Sequence, residues 1–295
     1  MEITVQVPGA AGEFVQGVQN GTPFLVTCPI ACYTTVRVST ALTGVQGLGA
    51  KAVQALQRVL QHFGARQLPA GMQLQSDLPP GKGMSSSTAD ICAVSAAAAQ
   101  ALGHTLSPVE LLQLACHIEP SDGVMLPGWT RINQQTGYLY AQYQDWPELA
   151  VTVYDTGGTV DTQAFHARQI SAGLCENAAV TQACKLLRQG TAADIGQAAL
   201  LSAQANQAVL PKAGLTELWQ AAEPLGAVGI TAAHSGTVLG VLWPVGQRTA
   251  MAQQQAQRTL QDYVNRQLPQ LACLGTYAVV PGGVRIHFSK ETLIS

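Results

Sequence analysis

The sequence predicts a mixed α+β fold with segregated strands and helices, divided into two domains near residue 155. Three observations support this prediction. Alternating apolar and polar residues mark strands near both ends of the chain, and segments with helical spacing follow one another without a regular strand–helix alternation. The turn-forming residues 155–158 then interrupt the pattern midway. We therefore expect an N-terminal domain over residues 1–155 and a C-terminal domain over residues 156–295.

The composition is that of a folded chain without a basic surface. Of 295 residues, 47% are hydrophobic and 11% are charged, which allows a large core and argues against disorder. The net charge of −2 and the lack of a run of Lys or Arg exclude a cationic field for nucleic acid or an anionic membrane. We therefore expect no nucleic-acid partner and no membrane partner.

Residues 2–7 alternate like a strand and do not resemble a signal peptide, so we expect a cytoplasmic protein. The Ala-rich residues 91–102 are too few to span a bilayer. Seven cysteines are scattered singly, which is typical of reduced thiols and not of a disulfide framework. Cys28 and Cys32 could supply half of a zinc site, but no matching Cys/His pair appears elsewhere in the sequence.

In the N-terminal half, strand-like segments frame a turn-rich stretch, and helical segments follow. Strands are predicted over 2–7, 33–39, 72–76, 137–143 and 149–154, with turns over 8–17 and a hairpin at 19–22. Helices are predicted over 50–63, 87–102 and from Pro108 to about 118, the last with Ser107 as its N-cap.

The C-terminal half is predicted to contain four helices and two pairs of strands. The helices cover about 174–188, 191–206, 214–224 and 247–266. One strand pair flanks residues 233–236, and the other lies within 275–288. This order fits an α+β domain without βαβ repeats.

The most informative segment is residues 77–90, where a loop of Gly and Pro delivers hydroxyl side chains onto the start of a helix. Backbone N–H groups in the first helical turn have no intrahelical partner and carry the positive end of the helix dipole. Glycine lets an anion approach the backbone, and hydroxyls donate to phosphate or coordinate Mg²⁺. The loop therefore predicts polyphosphate binding, although it is not a Walker A sequence and an ordinary Ser/Thr helix cap is the alternative.

Two further segments carry possible chemistry. Residues 229–240 form a glycine-bearing turn that enters a buried strand, where a plain hairpin connection is the alternative and His234 is expected to be structural. At the end of the third helix, Glu119 and Asp122 lie three residues apart beside Pro120. Because Mg²⁺ prefers one or two carboxylates together with phosphate oxygens, this pair could hold a metal ion and a substrate hydroxyl. A solvated helix end is the alternative.

In this order, the segments resemble the three motifs of the GHMP kinases, the family of galactokinase, homoserine kinase and mevalonate kinase. Residues 8–17 are similar to the substrate-side motif, 79–88 to the phosphate-loop motif and 232–240 to the C-terminal motif. Met84 and Ser85 replace the usual Leu and Gly. The resemblance implies a two-domain fold, with an N-terminal domain like ribosomal protein S5 domain 2 and a ferredoxin-like C-terminal domain.

Within that family the sequence resembles the L-threonine kinases of cobalamin biosynthesis. The similar segments are residues 8–17, 26–30, 83–91, 118–122, 210–212 and 233–236. One departure follows Asp122, where residues 129–134 replace a segment that is usually similar to Phe-Asp-His. This departure bears on the identity of the acceptor more than on kinase activity.

The resemblance implies that ATP is the phosphate donor and that Mg²⁺ is the metal. The ATP phosphates would contact Pro79, Pro80, Gly81, Lys82, Gly83, Met84, Ser85, Ser86, Ser87, Thr88, Ser235 and Gly236. Ser87 and Glu119 would coordinate Mg²⁺, and Lys82 would neutralise a phosphate oxygen. Asp122 occupies the position of a catalytic base, although phosphoryl transfer depends mainly on alignment and charge neutralisation, so a strong base is not obligatory.

Recognition of L-threonine requires an acceptor for its ammonium group and donors for its carboxylate. Glu13 and Gln16 belong to the substrate-side motif, and Glu13 is the candidate ammonium partner. Arg131 or Lys212 is the candidate carboxylate partner. The alternatives for Arg131 and Gln16 are a strand-end surface position and a turn hydrogen bond.

Other functions remain open at this stage. The protein could phosphorylate another small hydroxylated acceptor such as homoserine, or act as a non-catalytic nucleotide- or metabolite-binding sensor. A decarboxylase of the diphosphomevalonate type needs a strongly cationic pocket, whereas this chain has five lysines. We expect a monomer or a homodimer.

Overall fold

The computed structural model describes residues 2–144, 146–158 and 176–289. The strands within these ranges are β1 (Glu2–Gln19), β2 (Thr22–Ser39), β3 (Val45–Gln46), β4 (Gly71–Ser76), β5 (Trp129–Ile132), β6 (Leu139–Tyr143), β7 (Leu149–Asp155), β8 (Gly229–Ala232), β9 (Val238–Pro244), β10 (Ala272–Ala278) and β11 (Arg285–Ser289). The helices are α1 (Ala50–His62), α2 (Ser86–Ala101), α3 (Pro108–Cys116), α4 (Ala178–Leu187), α5 (Ala192–Asn206), α6 (Leu215–Ala222) and α7 (Ala250–Gln267), with a 3₁₀ turn at Glu223–Leu225.

The strands form one sheet whose main path runs β10-β7-β9-β8-β1-β2-β4-β3. Pairing is antiparallel except between β3 and β4, while β11 pairs with β1, and β5 pairs with β2 and β6. The sheet therefore links strands from both halves of the chain. The division near residue 155 stays a prediction.

The hairpin predicted at residues 19–22 is confirmed, because Asn20 and Gly21 have φ values of 52° and 68° and join β1 to β2. The turn-rich interpretation of residues 8–17 is wrong, since β1 continues through them. Register shifts after Pro8, after Ala10 and after Glu13 let residues 8–17 remain in the strand despite their Gly and Pro residues. Pairing with β2 on one side and β8 on the other outweighs the local preference for turns.

The strands near the C-terminus lie roughly where the sequence placed them but do not pair with each other, contrary to the expected pair. Instead, β10 pairs with β7, and β11 pairs with β1. Strand β5, which the sequence analysis did not predict, connects β2 to β6. Partner choice in a sheet depends on residues far apart in sequence, so local patterns could not supply it.

Helix α2 is the centre of the larger core. Its residues from Ile91 to Ala99 are all buried, and they include five alanines. Such small side chains let the helix approach β1, β2 and α1 closely. A second core cluster lies under α6 and α7 and includes the buried side chains of Leu218, Leu260 and Trp243. Together these cores fix the sheet beneath the loops that carry the sequence motifs.

Helix ends agree with the capping chemistry that the sequence predicts. Ser107 accepts from the backbone N–H of Glu110 at 3.2 Å, and the Glu110 carboxylate accepts from the Ser107 N–H at 2.7 Å. Helix α4 starts at Ala178 after the Asn177 cap, later than the predicted residue 174, and residues 174 and 175 lie outside the described ranges.

No helix in the described part of the chain is both long and apolar enough to cross a membrane. Cys28 and Cys32 are buried free thiols. Across the described ranges, no group of three or more His, Cys, Asp or Glu side chains is arranged to hold a metal ion. The zinc alternative at Cys28 and Cys32 therefore has no support among these residues.

Candidate active site

The three sequence motifs converge at one place in the fold. Ala10 in β1 donates its backbone N–H to Met84 O in the phosphate loop at 3.0 Å. From the third motif, Thr237 donates its N–H to Lys82 O at 2.8 Å. These backbone contacts hold the phosphate loop between the first and third motifs.

Two glycines allow the closest approach between the loops. A Cβ atom on Gly236 would lie 2.2 Å from the Cα of Gly83, which is closer than real Cβ contacts. Gly83 also has φ of +82°, a conformation that favours glycine. The contact explains the need for glycine at both positions.

The N-terminus of α2 is open toward the cleft. Ser85 is its N-cap in a left-handed conformation, with φ of 59°, and no side chain caps the helix. Instead of capping the helix, Ser85 Oγ donates to Asp122 Oδ2 at 2.6 Å. The first-turn N–H groups and the positive end of the helix dipole therefore remain available to an anion.

Most of the predicted phosphate and metal residues lie together in the cleft. Its lining includes Gly81, Gly83, Ser85, Ser86, Ser87, Thr88, Glu119, Asp122 and Ser235. A neighbouring, wider pocket shares Gly81, Ser86 and Ser87 and also contacts Pro80, Gly49 and Asp90. The phosphate loop thus forms a boundary between two adjoining spaces.

Glu119 is a buried carboxylate with one oxygen that accepts no hydrogen bond from the described residues. It is 7% exposed, and its Oε1 atom has no hydrogen-bond partner among the described residues. Its Oε2 atom forms an ion pair with Lys51 Nζ on α1. A buried carboxylate oxygen and the Ser87 hydroxyl that lines the same cleft are donors that suit Mg²⁺ together with phosphate oxygens. The residues present therefore fit the predicted metal.

Asp122 lies three residues after Glu119 and is held by Ser85. Burial raises the pKa of Asp122 to about 6, and the charge of Glu119 adds to the rise while the Ser85 hydrogen bond opposes it. A carboxylate with this pKa can accept a proton near neutral pH.

Glu13 places a third carboxylate near the same point. It is 4% exposed on β1, and its Oε2 atom has no hydrogen-bond partner among the described residues. Burial raises the pKa of Glu13 well above its usual value, and the charge of Asp122 raises it further, while a hydrogen bond from Thr27 lowers it. The Thr27 hydroxyl also accepts from Gly123 N–H at 3.2 Å. Thr27 therefore links Glu13 to the segment that carries Asp122.

Lys82 points away from the cleft lining. Its Nζ atom lies 2.7 Å from Asp155 Oδ2 and donates to Gly158 O at 2.9 Å. Although burial opposes ionisation, hydrogen bonds from Lys82, Thr237 and Gly157 lower the pKa of Asp155. Lys82 therefore connects the phosphate loop to the end of β7, and its predicted phosphate contact stays a prediction.

Gln16 and Lys212 are bound to the third motif. Gln16 donates through Nε2 to Ala232 O at 3.2 Å, and its Oε1 atom accepts from His234 Nδ1 at 2.5 Å. Lys212 is 5% exposed, donates to Gly236 O at 2.5 Å, and has a pKa lowered to about 8 by burial. These contacts position the Ala232–Gly236 backbone, and direct contact with a substrate stays a prediction.

Arg131 lies on β5, outside the cleft lining. Its guanidinium carbon is 3.9 Å from the centroid of the Phe24 ring and 5.5 Å from that of Tyr140. The structure does not bring Arg131 together with Glu119 and Asp122 in the lining, and its carboxylate role stays a prediction.

No sequence pattern indicates that Lys51 and Gln134 line the cleft. The same is true of Thr27, which contacts Glu13, and of Asp155, which pairs with Lys82. Lys51 is 68 positions from Glu119, and helix α1 otherwise reads as a simple amphipathic segment. In the sequence, Asp155 is predicted only as a turn residue. The one local signal for Lys51 was its place after the glycines of residues 47–49, which gave no indication of its partner.

Comparisons with known proteins agree with this arrangement. Residues 50–126 match the GHMP kinases N terminal domain. The chain is 34% identical over 250 residues to an L-threonine kinase of Salmonella typhimurium, covering 80% of this chain and 81% of that one. It is also 34% identical to an L-threonine kinase of Citrobacter freundii, covering 80% and 85%.

Among solved structures, the fold is similar to a homoserine kinase from Cytophaga hutchinsonii, with a TM-score of 0.67, 18% identity and coverage of 97% of both chains. At this identity the likeness concerns the fold alone. The two-domain GHMP kinase architecture that the sequence predicts is thereby supported over nearly the whole chain. From the convergent motifs, the family match and the two relatives, we conclude that the chain belongs to the GHMP kinases.

Proposed function

We propose that this protein transfers the γ-phosphoryl group of ATP to the side-chain hydroxyl of L-threonine, giving O-phospho-L-threonine and ADP. The observation that carries the proposal is the meeting of Glu119, Asp122 and the uncapped N-terminus of α2 in one cleft. The two L-threonine kinases at 34% identity over most of the chain support the choice of acceptor.

The nucleotide phosphates fit the loop and first turn of α2. Backbone N–H groups of Ser86, Ser87 and Thr88 lie at the positive end of the helix dipole, where they favour negative charge. The adjoining pocket beside Pro80, Gly49 and Asp90 offers room for the rest of the nucleotide. The phosphate loop then separates the nucleotide from the acceptor side.

Ser87 and Glu119 would hold Mg²⁺, which would neutralise negative charge on the nucleotide phosphates. Glu119 contributes the open Oε1 atom, and its burial keeps the carboxylate in place. These residues align the γ-phosphoryl group with the acceptor hydroxyl.

In the transfer step, the threonine hydroxyl oxygen forms a bond to the γ-phosphorus. The bond between that phosphorus and the β–γ bridging oxygen breaks, and ADP leaves with the electron pair. The hydroxyl proton passes to the carboxylate of Asp122, whose position is fixed by the hydrogen bond from Ser85. Because alignment supplies most of the acceleration, Asp122 contributes by orienting the hydroxyl as well as by accepting the proton.

The acceptor side contains an uncompensated buried carboxylate that suits an ammonium group. Glu13 carries an oxygen without a partner among the described residues and lies within electrostatic range of Asp122. An α-ammonium group would supply the missing positive charge and hydrogen bonds. Arg131 or Lys212 would receive the substrate carboxylate, with Gln16 supporting the same motif.

The wider context of the proposal is the synthesis of the aminopropanol linker of cobalamin, in a cytoplasmic monomer or homodimer. Decarboxylation of O-phospho-L-threonine, with a proton replacing the lost CO₂, would give an aminopropanol phosphate, so the consuming reaction would be of this class.

The test is consumption of ATP by the purified protein with Mg²⁺, comparing L-threonine with L-serine, L-homoserine and mevalonate. We expect L-threonine to be phosphorylated well above the others, with the product identified by phosphorus NMR. Turnover with a different acceptor would support kinase activity and would contradict L-threonine as the substrate. ATP binding without any turnover would support a non-catalytic sensor instead.

A further inference from the structure

We infer that Lys51 is the resident counter-ion of Glu119, and that a divalent cation replaces its ammonium group there when nucleotide binds. The inference rests on the proposed function, because it assigns a role at the same nucleotide site. The first observation is the ion pair between Lys51 Nζ and Glu119 Oε2.

The cleft brings two carboxylates together. Glu119 and Asp122 both line it, and the charge of Glu119 raises the pKa of Asp122. Among the described residues that line the cleft, Lys51 is the one lysine. The ammonium group of Lys51 therefore supplies the compensating charge.

The other two lysines near the motifs, Lys82 and Lys212, contact groups other than Glu119. Lys82 is paired with Asp155, and Lys212 donates to Gly236 O. Neither lines the cleft. Without Lys51, Glu119 would be a buried carboxylate with no cation beside it, which is costly in free energy.

The two partners differ in how freely they can move. The Glu119 side chain is 5% exposed, whereas that of Lys51 is 41% exposed at the start of α1. The Lys51 ammonium can turn into solvent or toward phosphate along its flexible stem without disturbing the core. Glu119 stays in place, so the cation is the exchangeable member of the pair.

A divalent cation on Glu119 would lie beside the ammonium group and repel it. The nearest compensating negative charge would then be the nucleotide phosphates on the α2 N-terminus, which borders the same cleft. Lys51 thus neutralises Glu119 in the empty site and the phosphates in the loaded site. This exchange predicts a thermodynamic coupling between Lys51 and the metal.

Binding of the ATP analogue β,γ-imido-ATP tests the exchange without turnover. Its Kd would be measured by calorimetry in EDTA and in excess MgCl₂ for the wild type, Lys51→Met and the control Lys185→Met, an exposed lysine on α4. We expect the ratio of metal-free to Mg²⁺-containing Kd to rise about fivefold in Lys51→Met, because unneutralised Glu119 repels metal-free nucleotide. The ratio should not change in Lys185→Met.

Two further variants separate this role from a loss of structure. Lys51→Arg keeps the charge and should keep the wild-type ratio. In a Glu119→Gln background, Lys51→Met should leave the ratio unchanged, since no carboxylate remains to neutralise. Two results would contradict the role of Lys51 without affecting the proposed function. One is an equal Kd ratio in the wild type and Lys51→Met, and the other is a change in the Kd ratio that persists in the Glu119→Gln background. Failure of the wild type to bind nucleotide in either condition would overturn the proposed function together with it.

Discussion

Ser85 Oγ donates a hydrogen bond to Asp122 Oδ2 at 2.6 Å, joining the N-cap residue of α2 to a carboxylate that lines the same cleft. Ser85 holds a left-handed conformation and does not cap its own helix. One residue thus leaves the helix N-terminus without a side-chain cap and fixes the carboxylate that we propose as the proton acceptor.

Replacing Glu119 by Gln is expected to lower kcat/KM by about 100-fold or more, because a neutral amide is a poor ligand for Mg²⁺. Steady-state kinetics over a range of Mg²⁺ concentrations would measure the loss. Glu217→Gln, an exposed change on α6, is the matched control. Near-normal activity in Glu119→Gln would contradict the metal assignment.

Asp122→Asn should lower kcat and leave the Kd for ATP almost unchanged, since the amide oxygen can still accept from Ser85. If Asp122 is an essential base, the loss is about 100-fold or more. Single-turnover kinetics with L-threonine would measure it. A loss of only about tenfold would mean that orientation, and not proton removal, is its main contribution.

Stability should respond to pH through Asp122. Its pKa is raised in the folded state, so its contribution is fully present below the unfolded value and is lost as the pH rises through about 6. Because asparagine does not ionise, Asp122→Asn removes this loss of stability at higher pH. We expect its Tm to exceed that of the wild type by about 2–4 °C at pH 7.5, with no such advantage at pH 4. A difference independent of pH, measured by thermal unfolding, would refute the raised pKa.

Gly236→Ala should destabilise the junction of the loops, because its Cβ would lie 2.2 Å from Gly83 Cα and 2.4 Å from Lys82 O. We expect a loss of about 1–3 kcal/mol in the free energy of unfolding, with weaker ATP binding. Gly49→Ala is the control for the stability measurement alone, since no atom of the described residues lies within 4 Å of its added Cβ and its φ is −74°. Equal stability of both variants in urea would disprove the close contact.

Lys82 and Asp155 should behave as one unit in stability measurements. Lys82→Met and Asp155→Asn are each expected to lower stability, and the double variant should lose less than the sum of both. The same variants test the predicted phosphate contact of Lys82. A rise in the KM for ATP in Lys82→Met that Asp155→Asn does not share would place the Lys82 ammonium on a phosphate.

The parts of the fold that local sequence predicts are those that local chemistry stabilises. The Asn20-Gly21 turn adopts positive φ, and Ser107 with Glu110 forms a capping box. Helix α2 was predicted within a residue of its observed start and end. In each case the decisive contacts lie within a few residues of one another, so the sequence pattern contains them.

Residues 8–17 illustrate why other predictions fail. Their Pro and Gly residues favour turns, yet the segment forms strand because β2 and β8 offer partners on both sides. The partners of β10 and β11 were likewise set by strands that are distant in the chain. Tertiary pairing outweighs a weak local preference.

The sequence by itself determined the α+β class, the three motifs and the residues of the phosphate loop with Glu119 and Asp122. Only the tertiary structure decided which side chains the carboxylates pair with: Lys51 forms an ion pair with Glu119 and Lys82 with Asp155, and Ser85 donates a hydrogen bond to Asp122. The physical reason is that backbone and turn preferences act between neighbours in the chain. Buried charges are instead balanced by whichever groups the packed elements bring within a few ångströms.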